Sequence, residues 1–253
     1  MLFINHKRSL FLVTTLLMMA GCQSLDKDLA APKAEPEVVV ELTPMEKLHQ
    51  SPNQYLLNQP IIAPEVNTKF SQALTTVKAK QLEQAKAQLL ALTIAAPTLS
   101  GPWLQLGDIA RQEKAIKHAI AHYQQAIYVN KHNYFAHNRL ASLLREQGEF
   151  EQAQKHYQQA LAAWPAFVPA RKNLAILLDL YMGEATLALE EYQTVAALNN
   201  LNKLPEDRQL KGWIADLSRR VATEEKRKQR MADQEAAKQQ ADEMATSTGA
   251  GNE

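Results

Sequence analysis

Apolar residues along this chain recur at intervals of three and four, and no strand-like alternation competes with them. From residue 66 to about 202 the apolar stripes come in pairs separated by short polar breaks. They predict helices at 66–80 with 82–95, 102–113 with 115–128, 134–147 with 150–163, and 168–182 with 184–197. After Pro205 a single stripe of Leu210, Trp213, Ile214, Leu217 and Val221 predicts one more helix with one apolar face. Past Val221 the stripe ends. The segment that follows has six acidic and five basic residues and reads as an exposed helix, held by pairs such as Glu224 with Lys228 and fraying into a polar tail over 222–253. The fold class is all-α.

The pairs repeat. Ala73, Gly107, Ala141 and Ala175 follow one another at 34 residues. Ala85, Ala119 and Ala153 keep that interval and continue as Ala188 after one inserted residue, and Leu89, Tyr123 and Tyr157 continue as Tyr192 with the same shift. A small residue at a helix crossing lets two axes approach, while Leu106, Tyr123, Leu140, Tyr157, Leu174 and Tyr192 fill the space between successive pairs. The pattern resembles the tetratricopeptide repeat, with Trp103, Leu106, Gly107, Ala119, Tyr123 and Ala126 standing at that family's signature positions in the second unit. Pro97 and Pro165 close two of the units, whereas Lys131 stands at the closing position of the second. The first unit lacks the Trp and Gly, and the fourth holds its inserted residue between Leu178 and Gly183. The resemblance implies a solenoid of about four helix pairs over 66–202, whose open apolar end the stripe at 203–221 would cap.

The first two dozen residues follow another logic. His6, Lys7 and Arg8 precede an uncharged run, Leu10 to Ala20, that closes on Gly21 and the only cysteine, Cys22. That is the order of a secretory signal over 1–21. A helix over Leu10 to Ala20 would be roughly 16 Å long against about 30 Å of hydrocarbon core, too short to span. Met19-Ala20-Gly21-Cys22 resembles the bacterial lipobox, which implies cleavage before Cys22 and attachment of acyl chains such as palmitate to it. Gln23 and Ser24 follow instead of an inner-membrane retention aspartate, so the expected location is the outer membrane of a Gram-negative cell, with the domain on its periplasmic face. One cysteine allows no intrachain disulfide. Residues 22–65 carry Pro32, Pro36, Pro44, Pro52, Pro60 and Pro64 and read as a disordered, lipidated tether, with an r.m.s. span of roughly 35 to 40 Å. Within it stand two apolar patches, EVVVEL and NQYLLNQPII; the second either packs on the first repeat helix or docks a partner.

Composition narrows the function by exclusion. With 28 basic and 27 acidic residues the formal charge is +1, which gives no bias toward nucleic acid. Eight scattered glycines are too few to build phosphate-cradling loops, and the chain has no HExxH and no GxSxG, so it reads as non-enzymatic, with no cofactor and no metal. His118 and His122 share a helix face at i, i+4, but no carboxylate or cysteine joins them there, and they read as surface histidines. Lys226, Arg227, Lys228 and Arg230 read as a solvated face rather than a basic partner site.

A solenoid offers a concave surface built from the first helix of every pair. Projecting the repeat places Phe70, Leu74 and Val77 of the first unit there, with Asp108 and Arg111 of the second. Phe135, Asn138, Arg139, Ser142 and Arg145 follow from the third, and Lys172, Asn173, Ile176 and Asp179 from the fourth. Arg111, Arg139, Arg145 and Lys172 outnumber Asp108 and Asp179, so the groove is expected to take an acidic segment or a carboxylate of another envelope protein. A lipoprotein of this kind resembles the pilotins of type IV pilus secretins and the repeat proteins associated with TonB, which implies an adaptor in an envelope machine. A scaffold gathering peptidoglycan hydrolases is the other reading. The oligomeric state stays open.

Overall fold

The computed structural model describes residues 41–249, and all its regular elements there are helical. The expected signal segment, Cys22, the tether as far as residue 40 and the last four residues lie outside the described residues.

Two short helices come first, α1 (Pro44–His49) and α2 (Gln54–Leu57). Eight more form four antiparallel hairpins: α3 (Pro64–Lys78) with α4 (Leu82–Ala95), α5 (Ser100–Gln112) with α6 (Ile116–Val129), α7 (Tyr134–Glu146) with α8 (Phe150–Ala163), and α9 (Val168–Leu177) with α10 (Ala185–Leu201). A long last helix, α11, spans Arg208–Gly249. Each hairpin packs on the next, and the buried core forms two clusters, a small one across α3, α4 and α5 and a larger one from α5 to α11.

The crossing positions behave as the period demands. Ala73, Ala85, Ala119, Ala141, Ala153, Ala175 and Ala188 are all fully buried, and Tyr123, Tyr157 and Tyr192 fill the layers between hairpins. At Gly107 the approach is closest: a Cβ there would sit 2.5 Å from the Tyr123 ring. Every turn within a hairpin passes through one left-handed residue, Lys80, Lys114, Gly148 or Gly183, with φ of +58°, +60°, +82° and +73°. These recur with the repeat because a helix must leave its axis there to reverse direction. The inserted residue of the fourth unit is absorbed as a π-helical turn over Leu178–Met182, which widens one turn and lets Ala188 and Tyr192 return to register.

Two expectations need correction. The tether predicted to run to residue 65 holds α1 and α2. Prolines open helices here instead of preventing them: Pro44 sits in the first turn of α1 and Pro64 in that of α3, where a missing N–H is harmless. Thr43 and Glu46 cap α1 reciprocally and Asn53 caps α2. The patch around Tyr55 does not lie on the first repeat helix but against α7. The second correction concerns the boundary at 221, because cap and charged segment form one uninterrupted helix. Leu210 and Leu217 of α11 are buried and Trp213 packs on Tyr192 at 5.4 Å, while nearly every described side chain beyond Val221 is exposed. Nothing in that stretch breaks a helix, since it has neither proline nor glycine before Gly249.

Candidate partner-binding groove

The first helices α5, α7 and α9 bring the predicted residues onto one face, but as a network of ties rather than a row of open cations. Arg111 on α5 pairs with Glu146 at the end of α7. Arg139 on α7 reaches back to Asp108 on α5, its Nε donating over 3.1 Å. Lys172 on α9 donates to Asp207 at the start of α11 over 3.1 Å, and its ammonium lies 5.4 Å from the centre of the Trp213 ring. Asp179 takes Arg220 of α11 at 2.8 Å. Three of the four predicted cations are therefore neutralised by acids from a neighbouring element. Such half-exposed pairs contribute about 0 to 1 kcal/mol each, and more to register than to stability.

Arg145 differs. It lies in the last turn of α7, its guanidinium carbon 5.9 Å from the centre of the Tyr181 ring, with Nη1 buried and without a hydrogen-bond partner. Around it, Ser142 and the Tyr157 hydroxyl share a 3.1 Å hydrogen bond. Burial pushes the hydroxyl of Tyr157 up, and that of Tyr192 up to about 12, where the nearby Asp179 adds and Arg145 opposes. These phenols stay protonated at neutral pH, so Arg145 faces hydrogen-bonding groups but no paired carboxylate.

The remaining predicted residues split. Asn138 is buried and accepts from Asn173 at 3.0 Å, so the two amides tie α7 to α9. Ile176 is half-buried against the core of the stack. Phe70 of the first unit is spent on packing, since a Cβ on Gly101 would lie 2.8 Å from its ring. Phe135, 39% exposed, lies at one end of the groove with Tyr134 at 4.1 Å and Phe167 at 5.6 Å. Onto this cluster folds Tyr55 of α2, edge-on to Tyr134 at 5.8 Å and to Phe135 at 6.4 Å.

His118 and His122 have an ordinary explanation. His122 packs on Trp103 at 5.7 Å, and burial followed by the charge of His118 lowers its pKa. Among the described residues no three His, Cys, Asp or Glu side chains converge as a metal site. Sequence reasoning missed a cleft of about 600 Å³ between α6, α7 and α8, lined by Lys131, His132, His137, Lys155, His156 and Gln159 among others. In it His137 and His156 meet Nδ1 to Nδ1 at 3.0 Å. The repeat held the signal, because these two stand 34 residues after Trp103 and His122.

The tetratricopeptide-repeat family matches residues 101–133 and 135–177. No curated protein sequence matches the chain. Among solved structures, PilF of Pseudomonas aeruginosa is similar with a TM-score of 0.54 at 21% identity, over 62% of this chain and 69% of that one. MamA from Desulfovibrio magneticus RS-1, from residue 41 to its end, is similar with a TM-score of 0.52 at 15% identity, over 64% of this chain and 88% of that one. At these identities the likeness is one of fold. Repeats of this fold are typically interaction modules that hold another protein or peptide. Residues 101–177 carry tetratricopeptide repeats, within a stack of four helix hairpins whose last holds a π-helical turn.

Proposed function

We propose that this protein is a non-enzymatic adaptor, held by lipid on Cys22 to the periplasmic face of an outer membrane, that binds a segment of another envelope protein along its concave face. The observation that carries the binding reading is Arg145, whose Nη1 is buried without a partner while Arg111, Arg139 and Lys172 are each tied to an acid. Arg145 as a whole is half-buried, so a carboxylate reaching the exposed part of its guanidinium would form a charge-assisted bond without first breaking an ion pair. Arg111, Arg139 and Lys172 act instead as the frame that fixes α5, α7, α9 and α11 in register. The resemblance to pilotins favours a pilus or secretin machine over a TonB system, and a scaffold for peptidoglycan hydrolases remains the second reading.

Crosslinking in the native envelope, followed by mass spectrometry, tests both halves. Cys22→Ser should abolish lipid labelling and release the protein from the outer-membrane fraction. Arg145→Glu should leave it anchored and folded while partner recovery falls at least fivefold. Recovery of the same partners at wild-type yield by Arg145→Glu would sink the groove reading, and an anchored Cys22→Ser protein would sink the lipid reading.

A further inference from the structure

Residues 41–58 precede the repeats in sequence yet pack beside the last ones in space. α1 lies on α10, with His49 Nε2 3.0 Å from Asn202 Oδ1. α2 follows at the start of α7, where Tyr55 stands edge-on to Tyr134 and Phe135. Only then does the chain reach Pro64 and begin the first hairpin. The segment is a strap running from the fourth unit toward the first, opposite to the order of the repeats, and it crosses the aromatic end of the groove.

The strap is held by few contacts. α1 and α2 have six and four residues and bury none of them, and helices so short do not persist alone. Leu56 and Leu57 of α2 are 59% and 69% exposed. The floor beneath Tyr55 is of another kind. Tyr134 and Phe167 are buried, their rings 4.6 Å apart, and Trp164 lies 5.2 Å from the one and 5.6 Å from the other. These rings come from α7, the end of α8 and the start of α9, so the hairpins themselves hold the socket in shape. A rigid aromatic socket under a loosely held cover has the division of stability expected of a binding site and its displaceable occupant.

We propose that this socket is a ligand site, that Tyr55 is its resident occupant, and that the segment the groove binds displaces the strap by inserting an aromatic side chain of its own. The proposal deepens the groove reading given above and rests on it for the partner's location. Tyr55 defines the chemistry that fits: an aromatic ring presented edge-on to Tyr134 and Phe135. Phe135 and Arg145 lie ten residues apart on α7, about 15 Å along the helix. An extended chain covers that distance in roughly four to five residues. The partner segment is thus an aromatic residue with an acidic residue about four to five positions away. The acid matters because the strap competes from within the same chain at an effective concentration of about a millimolar, and the strap carries no group on Arg145. A partner that engages both sites therefore outcompetes one that engages the socket alone.

The test uses the full chain in detergent and, as probe, a fluorescein-labelled peptide with the sequence of residues 50–60, QSPNQYLLNQP. Fluorescence anisotropy should show the peptide binding Tyr55→Ala at least tenfold more tightly than wild type, whose socket is filled. The same peptide with alanine for its tyrosine should bind neither. Equal affinity for the two proteins, or no binding to either, overturns the proposal. Hydrogen exchange on the wild-type chain gives a second reading that needs no variant: amides of 44–57 should exchange at least a hundredfold faster than those of α7 and α9. Equal protection would make the strap part of the core and overturn the proposal. Because the peptide is the chain's own, these outcomes do not depend on any envelope partner being recovered through Arg145, so the two readings fail separately.

Discussion

His137 and His156 face each other through Nδ1 atoms 3.0 Å apart, in the positions that Trp103 and His122 occupy one unit earlier. His137 Nε2 lies 3.1 Å from the carbonyl oxygen of Lys131, which can only accept. Nε2 of His137 is therefore the donor, its Nδ1 the acceptor, and His156 supplies the Nδ1–H between them. One neutral pair satisfies both bonds of His137, whereas two imidazolium rings would set N–H against N–H.

This pair makes stability depend on pH. Burial lowers His137 to about 4, the Lys131 carbonyl opposing and the charges of His156 and His132 adding to the fall; burial and then Lys155 lower His156, with Gln159 opposing. Folded pKa values below the unfolded value of about 6.5 mean that the stabilisation is complete above pH 6.5 and is lost as pH falls toward 4. Between pH 7.5 and 4.5 His137 alone should lose about 2 to 3 kcal/mol. Urea titrations at several pH values should show this loss in wild type and a shallower one in the His137→Gln, His156→Gln double variant. Parallel curves would show that the pair titrates normally.

At Gly107 two effects compete. Alanine in a helix interior is usually better than glycine by about 1 kcal/mol. Here its methyl would land 2.5 Å from the Tyr123 ring, and Tyr123 is fully buried with its hydroxyl bonded to Asp108 at 2.8 Å, so the ring cannot swing aside. Overpacking costs about 1 to 3 kcal/mol and should win. Gly107→Ala should lower the melting temperature, while Gly212→Ala on α11, where a Cβ would meet nothing within 4 Å, should raise it.

The cap should separate from its extension. Leu217 is 1% exposed, and Leu217→Ala should cost about 2 to 5 kcal/mol. Trp213 is only half-buried, so Trp213→Ala should cost less, about 2 kcal/mol, through the lost contacts with Tyr192 and Lys172. Ending the chain after Val221 removes exposed side chains and should leave the melting temperature nearly unchanged. A truncated chain that melts well below the intact one would assign the charged half of α11 to the core.

The sequence by itself determined the hairpins, because each one imposes the same local demand: a small residue where two axes cross and a large one where hairpins meet. Those demands recur every 34 residues, so Ala141 and Tyr157 could be placed from Gly107 and Tyr123, and the slip in register before Ala188 marked the turn that became π-helical. The faces of α5, α7 and α9 followed from the same period. Tertiary structure alone decided which charges on those faces stay open. Whether Arg111 meets Glu146 while Arg145 meets no acid depends on the spacing between neighbouring rows and on side-chain reach, neither of which spacing along one helix encodes. It alone also brought Tyr55 to Tyr134, a contact between a segment outside the repeat and one within it. No period indexes such a pair; it forms because the exposed aromatic edge of the stacked hairpins is covered by whatever apolar chain can reach it.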